Sequence, residues 1–116
     1  MYKNTYHLCT TALKDTVLCR DNEDYIYLWN SLAIYAASVG VQIYCLILMS
    51  NHLHILLRAP REKIEIFFTF VKTRMCRYLK KKYGQVRVPK WEYKLFGIND
   101  RKAFCQEVAY ILRNAL

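Results

Sequence analysis

Residues 41–58 read Val41-Gln42-Ile43-Tyr44-Cys45-Leu46-Ile47-Leu48-Met49-Ser50-Asn51-His52-Leu53-His54-Ile55-Leu56-Leu57-Arg58. The stretch is mostly apolar, broken chiefly at its middle, and lies between Gly40 and Pro60. It predicts two strands, Val41 to Met49 and His52 to Arg58, joined by a tight turn at Ser50-Asn51 and paired antiparallel. Both strands are almost wholly apolar, so both are expected to be central in the sheet and covered on at least one face. Alternate side chains of a strand share a face, which turns His52 and His54 the same way and Leu53 into the core. Two imidazoles about 7 Å apart along one strand face can converge on one divalent cation. The plainer reading is a pair of polar residues on the solvent side of a surface strand. On the pair alone the plainer reading carries more weight, although the clustering argues against chance, since the chain has only three histidines and the other is His7.

Outward from this hairpin, Tyr2 to Thr11 reads as a first strand, with Tyr6, Leu8 and Thr10 on one side and Thr5, His7 and Cys9 on the other. Thr16-Val17-Leu18-Cys19 suits a short extension or hairpin arm. Asp21-Asn22 can cap a helix from about Glu23 to Val39, whose apolar positions Tyr25, Leu28, Trp29, Leu32, Tyr35, Ala36 and Val39 keep the helical period until Gly40 ends it. Pro60 opens a second helix over about Arg61 to Tyr83, with a buried stripe of Ile64, Phe67, Phe68, Val71, Met75, Tyr78 and Leu79, and Gly84 stops it. Tyr93 to Ile98 suits an edge strand. Asn99-Asp100 caps a last helix that turns Phe104, Val108, Ile111 and Leu112 inward. The order β, α, β, β, α, β plus a final helix predicts an α+β, ferredoxin-like βαββαβ antiparallel sheet with two helices on one face and an additional C-terminal helix.

At 116 residues the chain is expected to be a single domain, 1–116. No apolar run reaches the length of a membrane span and the N-terminus lacks a signal-peptide core, so the expectation is a cytoplasmic protein without membrane contact. Five dispersed cysteines without CxxC spacing argue against a disulfide framework or a zinc finger, and most are expected to be small buried hydrophobes. Eighteen basic against nine acidic residues give a net charge of +9, a bias toward polyanions. Between Ile66 and Trp91 there is no acid but there are eight bases, Lys72, Arg74, Arg77, Lys80, Lys81, Lys82, Arg87 and Lys90. That imbalance suits contacts to a phosphate backbone better than a merely solvated face.

The last helix contains Gln106-Glu107-Val108-Ala109-Tyr110-Ile111-Leu112-Arg113-Asn114. Tyr110 and Asn114 stack on one face, about 100° round from Ile111, and Glu107 lies a turn before Tyr110. A tyrosine alone is most simply a packing residue. Joined to the histidines it gains another sense, because a divalent cation can withdraw charge from a group under attack by an otherwise poor phenol nucleophile. Two imidazole nitrogens and the Asn114 amide oxygen form a mixed set suited to Mg²⁺ or Mn²⁺ with positions left open, rather than to structural zinc.

Met49-Ser50-Asn51-His52-Leu53-His54-Ile55-Leu56-Leu57 resembles the MPNHVHLLL signature of the HUH (His-hydrophobic-His) single-tyrosine transposases. Tyr110-Ile111-Leu112-Arg113-Asn114 is similar to their YIxxN motif, and Tyr6-His7-Leu8 to their first-strand YHV segment. The REP-associated tyrosine transposases and insertion-sequence-200-like enzymes are the branch it most looks like. The resemblance implies a transposase, a ferredoxin-like endonuclease that nicks and rejoins single-stranded or hairpin DNA, commonly as a homodimer. His52, His54 and Asn114 would be its metal ligands and Tyr110 its nucleophile in a 5′-phosphotyrosine intermediate. Glu107, a turn before Tyr110, and His7 are candidates for support beside that set. Ser50 stands where the signature has proline, Ala115 where proline follows the asparagine, and the chain given ends at Leu116, so a domain truncated at its C-terminus is expected. Two alternatives stand beside this. One is a non-catalytic, decayed nucleic-acid-binding remnant that uses the bases and aromatics such as Trp91, Tyr93 and Phe96 to stack on unpaired bases. The other is a histidine-triad-like nucleotide hydrolase, from which the chain departs because the next alternate position is Leu56.

Overall fold

Three helices enclose the two faces of one antiparallel sheet in the computed structural model, which describes residues 2–11, 17–84 and 91–114. The elements are β1 (Thr5–Thr10), α1 (Asn22–Val39), β2 (Gln42–Leu48), β3 (Leu53–Arg58), α2 (Arg61–Tyr83), β4 (Tyr93–Gly97) and α3 (Arg101–Asn114). The sheet order is β2-β3-β1-β4, and every neighbouring pair is antiparallel. This is the predicted ferredoxin-like α+β arrangement with its extra C-terminal helix.

Helices α1 and α2 lie on one face. Leu28, Leu32 and Ala36 of α1 and Ile64, Phe67, Val71, Met75 and Leu79 of α2 join Leu8, Leu53, Ile55 and Leu57 of the sheet in the main core. The other face belongs to α3, where Ile111 packs with Leu56 and Ile98, flanked by Cys45, Ile47, Phe104 and Val108. Each of those three buried side chains is worth roughly 2 kcal/mol of burial, enough together to seat α3. Asp21 caps α1 by accepting from the Asp24 amide at 3.0 Å, and Asp100 caps α3 by accepting from the Ala103 amide at 2.8 Å. Gly40 and Gly84 close α1 and α2 with φ of 90° and 73°, where a glycine meets no Cβ penalty.

The structure corrects several expectations. β2 is an edge strand, not a central one. It is apolar on both sides because helices cover both sheet faces at that edge. A register shift between Ile43 and Cys45 reverses its alternation. Ile43, Leu46 and Leu48 then face the main core, whereas Cys45 and Ile47 face α3. Trp29 and Leu112 are both 55 % exposed, because each sits beside rather than on its helix's buried stripe. Trp91 is fully buried against Phe68 and offers no surface for stacking on a base. Val17 to Cys19 form no strand, and the Thr16 end of that expected arm lies outside the described residues. All five cysteines are free, but only Cys19 is buried, Cys9, Cys45 and Cys76 being partly covered and Cys105 exposed.

Candidate active site

The α3 face of the sheet gathers the polar residues that the sequence scattered. Strand alternation sends His7 and Cys9 of β1, and His54 of β3, toward α3. The β1–β3 register sets Cys9 opposite His54 and His7 opposite Leu56, so the two histidines are diagonal neighbours. Phe96 of β4 lies opposite His7 on the other side. Glu107 and Tyr110, one helical turn apart on α3, close over them. His7, Cys9, His54, Phe96, Glu107 and Tyr110 line one open cleft.

Contacts within this group are specific. Glu107 Oε2 lies 2.7 Å from His7 Nδ1, and His7 Nε2 lies 3.0 Å from His54 Nδ1. The His52 ring is edge-on to His54, centre to centre 5.3 Å. His52 Nδ1 is 2.8 Å from Asn51 Oδ1, an acceptor that in the neutral ring favours the proton on Nδ1 and leaves the lone pair to Nε2. Leu53 between the two histidines is buried in the main core, as the alternation requires. Tyr110 is 48 % exposed. Its ring stands 5.8 Å from that of His54 and 6.0 Å from that of His7, within the same chain.

Burial, and then the neighbouring His7 and His52, hold the His54 pKa below its ordinary value. The neutral ring this favours at pH 7 is the form a metal needs. Burial raises the Cys9 thiol, partly offset by Lys94 and reinforced by Glu107, which makes it a poor nucleophile at neutral pH. Among the described residues no three His, Cys, Asp or Glu side chains form a ready-made metal site. The donors do fit an open site of mixed nitrogen and oxygen character: two imidazoles share a face, and one of them has its Nε2 freed by Asn51. The side chain of Asn114, the expected third ligand, lies outside the described part, although its backbone closes α3.

The basic series does not join this cleft. Lys72, Arg74, Arg77, Lys80, Lys81 and Lys82 ride on α2, across the sheet from the histidines. Arg77, Lys80 and Lys81 are exposed, and Lys72 and Arg74 are half-buried, the Arg74 guanidinium 4.8 Å from the centre of the Tyr27 ring. Lys82 is occupied. Its ammonium meets Asp21 at 2.8 Å, Asp24 at 2.9 Å and Glu23 at 3.2 Å. Arg87 and Lys90 lie outside the described residues. Sequence reasoning missed Asn51, although an amide immediately before a histidine is a recognisable way to fix its tautomer.

Known proteins agree with this architecture. The model of a family described as IS200-like transposase matches residues 1–104, which includes both histidines of the pair and stops short of Tyr110. A REP-associated tyrosine transposase solved bound to a REP hairpin is similar with a TM-score of 0.77 and 14 % identity, covering 98 % of this chain and 67 % of that one. A Deinococcus radiodurans R1 protein assigned as a transposase is similar with a TM-score of 0.61 and 24 % identity, covering 97 % and 92 %. No curated protein matches.

Proposed function

The chain belongs to the IS200-like transposase family, and from that premise we propose that it is a metal-dependent single-stranded DNA endonuclease and strand transferase, a single domain over residues 1–116 that cuts with Tyr110. The observation that carries this reading is the Tyr110 ring 5.8 Å from His54, on a cleft lined by His54 and His7, with the His52 ring edge-on to His54 beside it. Mg²⁺ or Mn²⁺ held by His52, His54 and Asn114 would withdraw charge from the phosphate under attack and orient it. Tyr110 Oη bonds to phosphorus and loses its proton to solvent. The P–O3′ bond breaks, and the departing oxygen takes up a proton as a free 3′-hydroxyl. The 5′-phosphotyrosine keeps the phosphodiester's bond energy, so attack by a 3′-hydroxyl reverses the step and joins strands.

The structural relative carries a hairpin, and we propose hairpin-containing single-stranded DNA as the substrate here. Lys72, Arg74, Arg77, Lys80, Lys81, Arg87 and Lys90 are assigned to its backbone. Because α2 and the cleft occupy opposite sheet faces, one DNA molecule reaches both only by passing round a sheet edge, or by bridging the two subunits of a homodimer. No described helix is long and apolar enough to cross a membrane. We propose that it acts in the cytoplasm.

Incubation with a labelled DNA hairpin and Mn²⁺ is expected to yield a band of protein covalently bound to DNA on a denaturing gel. Excess chelator and His52→Ala should each remove it. Metal-independent, salt-sensitive binding with no adduct from the wild-type protein would instead leave the binding-only reading. The bases make a separate expectation. Replacing Lys80 and Lys81 together by alanine should flatten the slope of log affinity against log salt by about 1 to 2, since each phosphate contact contributes roughly 0.7 to 0.9. Lys82→Ala should leave that slope unchanged, because three carboxylates already surround its charge. A slope change at Lys82 matching that of the double variant would refute the distinction.

A further inference from the structure

We infer that Glu107 and His7 are positioning residues that fix the tautomer of His54, so that its Nε2 faces the cleft with a lone pair. The inference rests on the reading of His54 as a metal ligand and adds to it the device that prepares the ligand. A carboxylate can only accept, so the Glu107 oxygen 2.7 Å from His7 Nδ1 requires the proton on that nitrogen. With its imidazole neutral, His7 then has a lone pair on Nε2. The atom facing it at 3.0 Å is His54 Nδ1, which must donate. The His54 proton therefore sits on Nδ1 and its Nε2 is bare. For a neutral His7, reversing the His7–His54 bond would turn a lone pair of His7 Nδ1 against the Glu107 carboxylate.

His52 reaches the same state by a different route, through Asn51 at 2.8 Å. Two unrelated partners thus leave the two histidines with the same nitrogen unprotonated. A pair of solvent-facing polar residues has no need of that agreement, whereas a pair of ligands does. His7 is 6 % exposed, so a buried imidazole without these partners would leave polar atoms unsatisfied. Glu107 ties the arrangement to α3, the helix that also carries Tyr110. Seating of the nucleophile helix and preparation of the ligand are thereby the same event.

Long-range ¹H–¹⁵N correlation spectra of the metal-free protein at a pH of about 8, above the ordinary histidine range, read the tautomers directly. The wild type should show His52 and His54 both protonated at Nδ1. In Glu107→Ala, His7 is free to take either tautomer, and His54 should acquire a substantial population protonated at Nε2, while His52 stays unchanged as an internal record of the fold. Mn²⁺ titration followed by electron paramagnetic resonance should then show affinity falling about 10- to 100-fold. A wild-type His54 protonated at Nε2 overturns the inference, and so does equal Mn²⁺ affinity in Glu107→Ala. Failure of the wild type to bind Mn²⁺ at all removes the metal reading itself and the inference with it.

Discussion

Tyr110→Phe is expected to abolish the covalent protein–DNA adduct, lowering strand cleavage roughly 10⁴-fold or more, as removal of a sole nucleophile does. The change deletes one oxygen from a ring that is 48 % exposed. Its effect on stability should stay within about 1 kcal/mol. Hairpin affinity measured at fixed salt should change little, because the backbone contacts proposed for α2 lie across the sheet. The separation of cleavage from binding is the informative part. Loss of both would mean that Tyr110 holds DNA rather than attacking it. An adduct that persists in the variant would move the nucleophile to another residue, and peptide mapping of the labelled fragment would identify it.

Much of this site was legible because it depends on period. One residue, Leu53, separates His52 from His54, one turn of helix separates Glu107 from Tyr110, and those spacings alone dictate shared faces. What joins the two halves is long range. Nothing near His7 announces that it bridges Glu107 and His54, since the β1–β3 register and the seating of α3 on Leu56 decide it. The edge position of β2 was hidden for a related reason. Apolar residues on both faces of a strand report coverage by helices, not a central place in the sheet. The shift at Ile43/Cys45 leaves no mark in a run where nearly every residue is apolar.

Lys82 shows the same limit from the side of charge. In the sequence it is the last of three consecutive lysines and reads as one more contact for a polyanion. In the fold it meets Asp21 and Asp24, 61 and 58 positions away. Charge runs count residues, but only the tertiary structure shows which of them are already neutralised.

That pairing sets up the largest stability effect expected of the molecule. Asp24 is fully buried at the start of α1. Its carboxylate accepts from Tyr78 Oη at 2.5 Å, Tyr83 Oη at 2.6 Å, the Arg20 amide at 2.8 Å and Lys82 Nζ at 2.9 Å. Burial works to raise the Asp24 pKa, but the bonds from Tyr78, Tyr83, the Arg20 amide and Lys82 outweigh it and hold the carboxyl far below its usual range. Asp24→Ala would take the acceptor from the Tyr83 phenol and the Arg20 amide and leave the Tyr78 hydroxyl to donate only to Glu23, at 3.1 Å. It should cost about 3 kcal/mol, lowering the melting temperature by roughly 10 °C. The sign of the pH effect follows from the depressed carboxyl. Its stabilisation is complete above the unfolded value near 3.9 and is lost as pH falls from there toward the folded value. At the alkaline end the order reverses. Burial and the bond to Asp24 raise Tyr78, the bond to Asp24 and burial raise Tyr83, and the bond to Asp21, against an opposing effect of burial, raises Lys82. Their contribution is present below about pH 10 and declines above it. Denaturant melts from pH 2 to 11 should therefore show a plateau with an acid shoulder that Asp24→Ala flattens. An acid shoulder of equal depth in that variant would assign it to other carboxylates, and the cage at the base of α1 would lose its claim to organise the helical face.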